Sequence, residues 1–204
     1  MKTTASLLFL LIFMSTACEQ QQTEPTIVEK GVSLQLATKR KQKISDVAYK
    51  LSFKIPENKS EPIPATLSLS FNLSDNSQPL VLDFKEKKEN LSSISIGETS
   101  IPYSFTNEHI IIYPENLKAG VNQIDFSFTA GDLSLNRNDD FLYTLLVPDR
   151  ARTLFPVFDQ PNIKAKYALT LSIPQSWEAG SNGKALDERN SGNRKTVVFE
   201  ETKV

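Results

Sequence analysis

From Val47 to Ile55 the chain alternates strictly. Val47, Tyr49, Leu51, Phe53 and Ile55 fall on one side, and Ala48, Lys50, Ser52 and Lys54 on the other. Successive strand side chains point to opposite faces, so a period of two predicts a half-buried β-strand. Ala65 to Leu73 repeats the pattern with Leu67, Leu69, Phe71 and Leu73 inward. The Pro56–Pro64 stretch between them is turn material, so the two segments are expected to pair as an antiparallel hairpin with a longish loop. The same reading places strands at Leu80–Phe84, Leu91–Ile96, His109–Tyr113, Val121–Thr129, Phe141–Val147, Ala165–Ile173 and Lys195–Glu200. No helical stripe stands out between them. The expected fold class is therefore all-β, an antiparallel sandwich or saddle-like domain over residues 45–204, with a tilted barrel as the alternative. Glu178–Arg194 reads as a polar loop, with a tight turn at Ser181-Asn182-Gly183 that uses glycine at positive φ.

The first residues depart from this pattern. Lys2 precedes an apolar run, Leu7–Met14, and then Ser15, Thr16, Ala17 and Cys18. Eight apolar residues make a helix of only about 12 Å, too short for a bilayer core of about 30 Å, so residues 1–17 read as an export signal. Cys18 follows small residues in a pattern resembling the bacterial lipoprotein box, which implies an acylated thiol and a membrane-anchored protein, periplasmic or surface-exposed. It is the only cysteine in the chain, so no intrachain disulfide is available. Residues 18–44 are expected to be a flexible tether and a first edge segment, polar with Pro25 as far as about Lys30.

Charge narrows the choice of partners. The formal net charge is −1, and loss of Lys2 with a leader lowers it by one unit. With no basic cluster beyond Lys39-Arg40-Lys41-Gln42-Lys43, which reads as a solvated strand edge or turn, a nucleic-acid partner is not expected. His109 is the only histidine. A zinc peptidase site needs clustered imidazoles and a carboxylate, so His109 reads as a rim or sheet-edge imidazole. No G-x-S-x-G elbow and no glycine-rich phosphate loop occurs, and the carboxylates are scattered among loops. No catalytic and no metal-binding residue can be named in the chain.

The densest signal lies between Leu142 and Pro174. Pro148, Pro156 and Pro161 fix φ and remove donors, so this piece must turn sharply rather than continue a central strand. Arg150, Arg152 and Asp159 are placed to pair within the turn, and Phe155 and Phe158 supply apolar anchors. On physics alone this is a compact corner of a β domain.

Pro148-Asp149-Arg150-Ala151-Arg152-Thr153-Leu154-Phe155-Pro156-Val157-Phe158-Asp159-Gln160-Pro161, followed by Lys164-Ala165, is similar to the "P-T-D-A-R-x-x-F-P-C-F-D-E-P-x-x-K-A" signature of the aminopeptidase N family of zinc exopeptidases. The Tyr49–Ile55 and Ala65–Leu73 strands, Leu82-Asp83 and Leu91–Ile96 resemble that family's opening pattern, so the likeness covers nearly all of residues 46–204. The signature positions Pro148, Arg152, Phe155, Pro156, Phe158, Asp159, Pro161 and Lys164 are read as structural. The resemblance implies an N-terminal β domain that caps a thermolysin-like catalytic domain, in a chain that stops before it. The family's H-E-x-x-H, its distant zinc-binding Glu and its G-x-M-E-N motif have no counterpart here. Zinc is thus expected only in a full-length relative, and the chain is expected to be inactive alone. Many relatives carry a Gln in "T-Q-F-E-P" that helps to hold the substrate's amino terminus. The matching stretch is Thr144-Leu145-Leu146-Val147-Pro148, so Leu145, which cannot accept a hydrogen bond, stands in its place. The alternatives are a complete β-sandwich binding or scaffold lipoprotein, or a subunit complementing a separately encoded catalytic chain. Either way, the face toward a catalytic domain is expected to expose an apolar patch.

Overall fold

A computed structural model describes residues 28–204. The export signal, Cys18 and the first part of the tether lie outside the described residues. The elements, in chain order, are α1 (Leu34–Lys43), β1 (Ile44–Lys54), β2 (Pro64–Leu73), β3 (Leu80–Asp83), β4 (Leu91–Ile96), β5 (Thr99–Ser100), β6 (Tyr103–Thr106) and β7 (His109–Ile112). They continue with β8 (Gly120–Thr129), β9 (Leu135–Arg137), β10 (Leu142–Thr144), β11 (Ala165–Pro174), β12 (Ala185–Ser191) and β13 (Arg194–Phe199). Eight strands form one sheet in the order β12-β13-β11-β1-β2-β8-β4-β5. A three-stranded sheet runs β3-β7-β6, and β9 and β10 form a two-stranded ribbon.

The β1–β2 hairpin is antiparallel, as expected, and β2 pairs with β8 without interruption from Pro64↔Thr129 to Leu73↔Gly120. The sheet is mixed rather than purely antiparallel, because β1 pairs with β11 in parallel from Val47↔Ala165 to Lys54↔Ser172. At its start β1 carries a register shift between Ser45 and Ala48, where Asp46 takes φ +53°. An extra residue resets the phase of a strand. Ile44 and Val47, three apart, therefore both face inward.

The inward residues of β1, β2 and β8, among them Tyr49, Leu67, Leu69, Phe71, Ile124 and Phe126, pack against Leu82, Ile110 and Ile112 of the small sheet. The small sheet is covered on its other side too, where Val81 and Ile111 meet Val28 and Leu36. Burial on both faces explains why Leu80–Leu82 and Ile110–Ile112 read as unbroken apolar runs rather than alternating ones. Each such aliphatic side chain contributes roughly 1.5–3 kcal/mol on burial.

Four expectations are corrected. Residues 34–43 are a helix, not an edge segment, and the basic run forms the second half of it. Ser33 caps its N-terminus by accepting a hydrogen bond from Leu36 N at 3.2 Å. Its inner face is Leu36 and Arg40, one turn apart, so no hydrophobic stripe betrays it. Val28, inside the expected tether, is buried. The expected strand Phe141–Val147 pairs only over Leu142–Thr144, because β9 is three residues long. Finally, the expected 178–194 loop contains β12. Its hairpin turn onto β13 places Gly192 at φ +60°, the first of two turn residues, where II′ turns call for glycine. Gly183 has no positive φ; it is needed because an added Cβ would lie 2.3 Å from the Glu200 carbonyl oxygen.

Candidate functional site

The signature segment folds as the sharp corner that its prolines demand. Residues 151–158 are all buried, and Ala151–Thr153 form a short 3-10 turn. Phe155 meets Tyr49 and Tyr167 edge-on, with centroids 6.0 and 6.2 Å away, and Phe158 meets Phe71 edge-on at 5.9 Å. Pro156 is buried beside them, whereas Pro161 and Lys164 are exposed, and Pro148 follows a cis peptide bond. The backbone N–H of Phe158 donates to the Tyr49 hydroxyl at 3.0 Å.

The expected ion pair takes a different form. Arg152 does not reach Asp159 with its side chain; its backbone N–H donates to Asp159 Oδ2 at 3.0 Å. The guanidinium turns instead to Glu108 Oε2 at 3.1 Å and Asp149 Oδ2 at 2.8 Å. Arg150 is exposed. Burial pushes the Asp159 carboxyl above its ordinary range; the Arg152 N–H opposes this, and the negative charges of Asp149 and Asp83 add to it.

What holds the corner to the domain is a buried cluster around Asp83. The Asp83 backbone exchanges hydrogen bonds with Val157, N–H to O at 2.8 Å and O to N–H at 3.0 Å. Its carboxylate accepts from Arg40 Nη2 at 2.6 Å, Arg40 Nη1 at 2.8 Å and the Asp159 N–H at 2.9 Å. His109 Nδ1 lies 2.9 Å from the same carboxylate. Burial alone would raise the Asp83 carboxyl, but His109 and the Arg40 guanidinium outweigh it and hold the group below its usual range. Arg40 also donates from Nε to the Val81 carbonyl, and its guanidinium lies 5.7 Å from the Phe158 ring centroid.

His109 is fully buried, which corrects the expectation of a rim imidazole. Its Nε2 lies 2.9 Å from the Glu29 carbonyl oxygen and 3.0 Å from that of Gly31, whereas Nδ1 faces the Asp83 carboxylate without a well-aligned hydrogen bond. Both side chains are wholly buried, out of a substrate's reach. The cluster holds together α1, the small sheet, the segment before α1 and the signature corner. Its signal in the sequence was an acid inside the apolar run LVLDF and a lone histidine beside three isoleucines.

The fit to zinc fails on the same geometry. Among the described residues no group of three or more His, Cys, Asp or Glu is placed to hold a metal ion. Peptide hydrolysis by a zinc-bound water cannot be routed through these residues.

A second feature lies on the surface. Leu142 and Leu146 pack against the core, while Phe141, Tyr143, Leu145 and Val147 point outward and are exposed. Leu145, the position at which the family resemblance expects a substrate-amine ligand, is 59% exposed and belongs to this apolar strip.

A family model, Peptidase M1 N-terminal domain, matches residues 32–204. Aminopeptidase M1-D of Oryza sativa subsp. japonica is 44% identical over 54 residues, which make up 26% of this chain and 6% of that protein. Probable M1 family aminopeptidase 2 of Encephalitozoon cuniculi (strain GB-M1) is 29% identical over 101 residues, 45% of this chain and 12% of that protein. Among solved structures, the M1 zinc metallopeptidase from Deinococcus radiodurans superposes with a TM-score of 0.64 at 17% identity, covering 78% of this chain and 39% of that one. Legionella pneumophila aminopeptidase A in complex with aspartic acid gives 0.66 at 18% identity, covering 77% and 19%. At such identities the structural likeness speaks for the fold alone. The matched region is well under half the length of each of these relatives.

Proposed function

The chain belongs to the peptidase M1 N-terminal domain family, and from that premise we propose that it serves as the non-catalytic β domain of an exported zinc aminopeptidase-like protein. The supporting observation is that the segment carrying the family signature, residues 148–161, is spent on packing. Arg152, Phe155, Pro156 and Phe158 are buried, and Asp159 accepts a backbone N–H. On this reading the domain hydrolyses no peptide alone, and removal of N-terminal residues belongs to a catalytic domain that supplies the zinc ligands. The strip Phe141–Val147 is the surface that such a domain would cover, since outward apolar side chains of this kind mark interaction sites. Cys18 carries the lipid that keeps the protein at a membrane, in the periplasm or at the cell surface.

Two measurements test this. The purified chain, supplied with equimolar zinc, is assayed on aminoacyl reporter amides; no turnover above buffer is expected, and zinc-dependent turnover would refute the non-catalytic role. Cells fed labelled palmitate should label the wild-type chain and not Cys18→Ser, and equal labelling or none would sink the anchor.

A further inference from the structure

The first part of the described chain carries a local excess of positive charge. The whole chain is close to neutral, at −1. Between Val28 and Lys43, however, five cations (Lys30, Lys39, Arg40, Lys41 and Lys43) meet a single acid, Glu29. Arg40 and Lys43 are spent on Asp83 and Asp75. Lys30, Lys39 and Lys41 are exposed and make no ion pair among the described residues.

α1 presents these charges in a defined way. Its inward residues are Leu36 and Arg40. At 3.6 residues per turn, Leu34, Thr38 and Lys41 then run along one outer flank, and Lys39 lies on the other. All four are exposed, and Leu34, an apolar side chain, is 84% exposed. Thr38 donates its hydroxyl to the Leu34 carbonyl at 2.7 Å, so it asks little of water. An apolar residue flanked by lysines on the outer side of a helix suits a boundary between an apolar layer and an anionic one. The chain also enters the domain beside this helix. Val28 belongs to the small cluster on which Leu36 packs, and the Glu29 and Gly31 carbonyl oxygens lie within hydrogen-bonding reach of His109 Nε2. Ten residues separate Cys18 from Val28, a reach of at most about 36 Å.

We infer that the outer face of α1 docks on an anionic lipid surface, with Lys39 and Lys41 at the headgroup phosphates and Leu34 at the boundary with the acyl chains. The inference rests on the lipid at Cys18 and goes beyond it. An anchor alone leaves the domain free to turn, whereas this contact fixes which side faces the bilayer. Each lysine held near an anionic surface strengthens the contact only about five-fold, so the face is too weak to recruit the domain from solution and acts on one already tethered.

The chain purified with its lipid is reconstituted into vesicles of phosphatidylcholine, with or without phosphatidylglycerol, whose acyl chains carry bromine. Leu34→Trp places a fluorophore on α1, and the parent, whose only tryptophan is Trp177, gives the baseline. Quenching of the added fluorophore is expected with phosphatidylglycerol and not without it, and 1 M salt, which shortens the screening length to about 3 Å, should relieve it. In the same background, Lys39→Gln with Lys41→Gln should lower the docked-to-free ratio about 25-fold. Lys50→Gln with Lys54→Gln, at two exposed positions on β1, should leave it unchanged. Absent quenching, equal quenching in neutral vesicles, or indifference to the α1 lysines would each overturn the docking while the anchor stands. A chain that does not enter vesicles would remove the anchor and the docking together.

Discussion

Arg40 and Asp83 form a forked ion pair at 2.6 and 2.8 Å with both side chains almost wholly buried, joining α1 to β3 across 43 residues of chain. Desolvating two charges is costly, and geometry of this quality is what offsets it. The pair therefore stabilises chiefly through what its loss would leave behind.

Asp83→Asn would strand the Arg40 guanidinium and the His109 ring beside a neutral amide. Losing one partner of a buried pair costs about 3–5 kcal/mol, so the variant's denaturation midpoint should fall well below the parent's. The sign with pH is fixed by the direction of the Asp83 shift. Its folded value lies below the unfolded one, so its contribution is complete above about pH 4 and is lost as pH falls through the folded value. The gap between parent and variant should narrow on acidification below about pH 4, and a gap that widened there would contradict the assignment.

Tyr49→Phe keeps the ring between Phe155 and Tyr167 but removes the acceptor of the Phe158 N–H. A buried donor without a partner costs about 1–3 kcal/mol. Equilibrium unfolding in urea should show a loss of that size with an unchanged slope, and a neutral substitution would mean that the hydroxyl does not hold the corner.

Where burial is one-sided, as on β1, β2 and β8, the alternation of side chains was readable directly; β2 and β8 lie within one residue of their expected bounds, and β1 begins three residues early, at its register shift. Elements held by polar contacts were not readable in that way. α1 has a single inward apolar residue, Leu36, and is fixed instead by Arg40, whose role depends on Asp83 far along the chain. β12 was hidden because a polar edge strand, exposed at six of its seven residues, has the composition of a loop. The Arg152 contacts were misassigned for a related reason. Proximity in sequence favoured Asp159, but the 3-10 turn at Ala151–Thr153 presents the backbone to Asp159 and swings the side chain toward the β6–β7 turn.

Gly183 offers a purely steric check. An alanine there would put its Cβ 2.3 Å from the Glu200 oxygen and 3.1 Å from its carbonyl carbon, both backbone atoms that cannot rotate away. Overpacking of this kind costs about 1–3 kcal/mol. Gly180→Ala meets open space and should stay within about 0.5 kcal/mol of the parent. Thermal unfolding of the two variants side by side should separate them, and equal melting points would remove the close approach.

Asp159 should respond to pH in the sense opposite to Asp83, although its N–H donates to the Asp83 carboxylate. Its folded value is raised, chiefly by burial, so the fold disfavours its ionised form. A raised carboxyl means that the folded state binds more protons than the unfolded one, and stability declines as pH rises from about 4 through the folded value. Asp159→Asn removes the charge, while its amide oxygen can still accept the Arg152 N–H. The variant should therefore melt higher than the parent at neutral pH and converge with it below about pH 4. A variant destabilised at neutral pH would show that the Asp159 charge holds the corner rather than straining it.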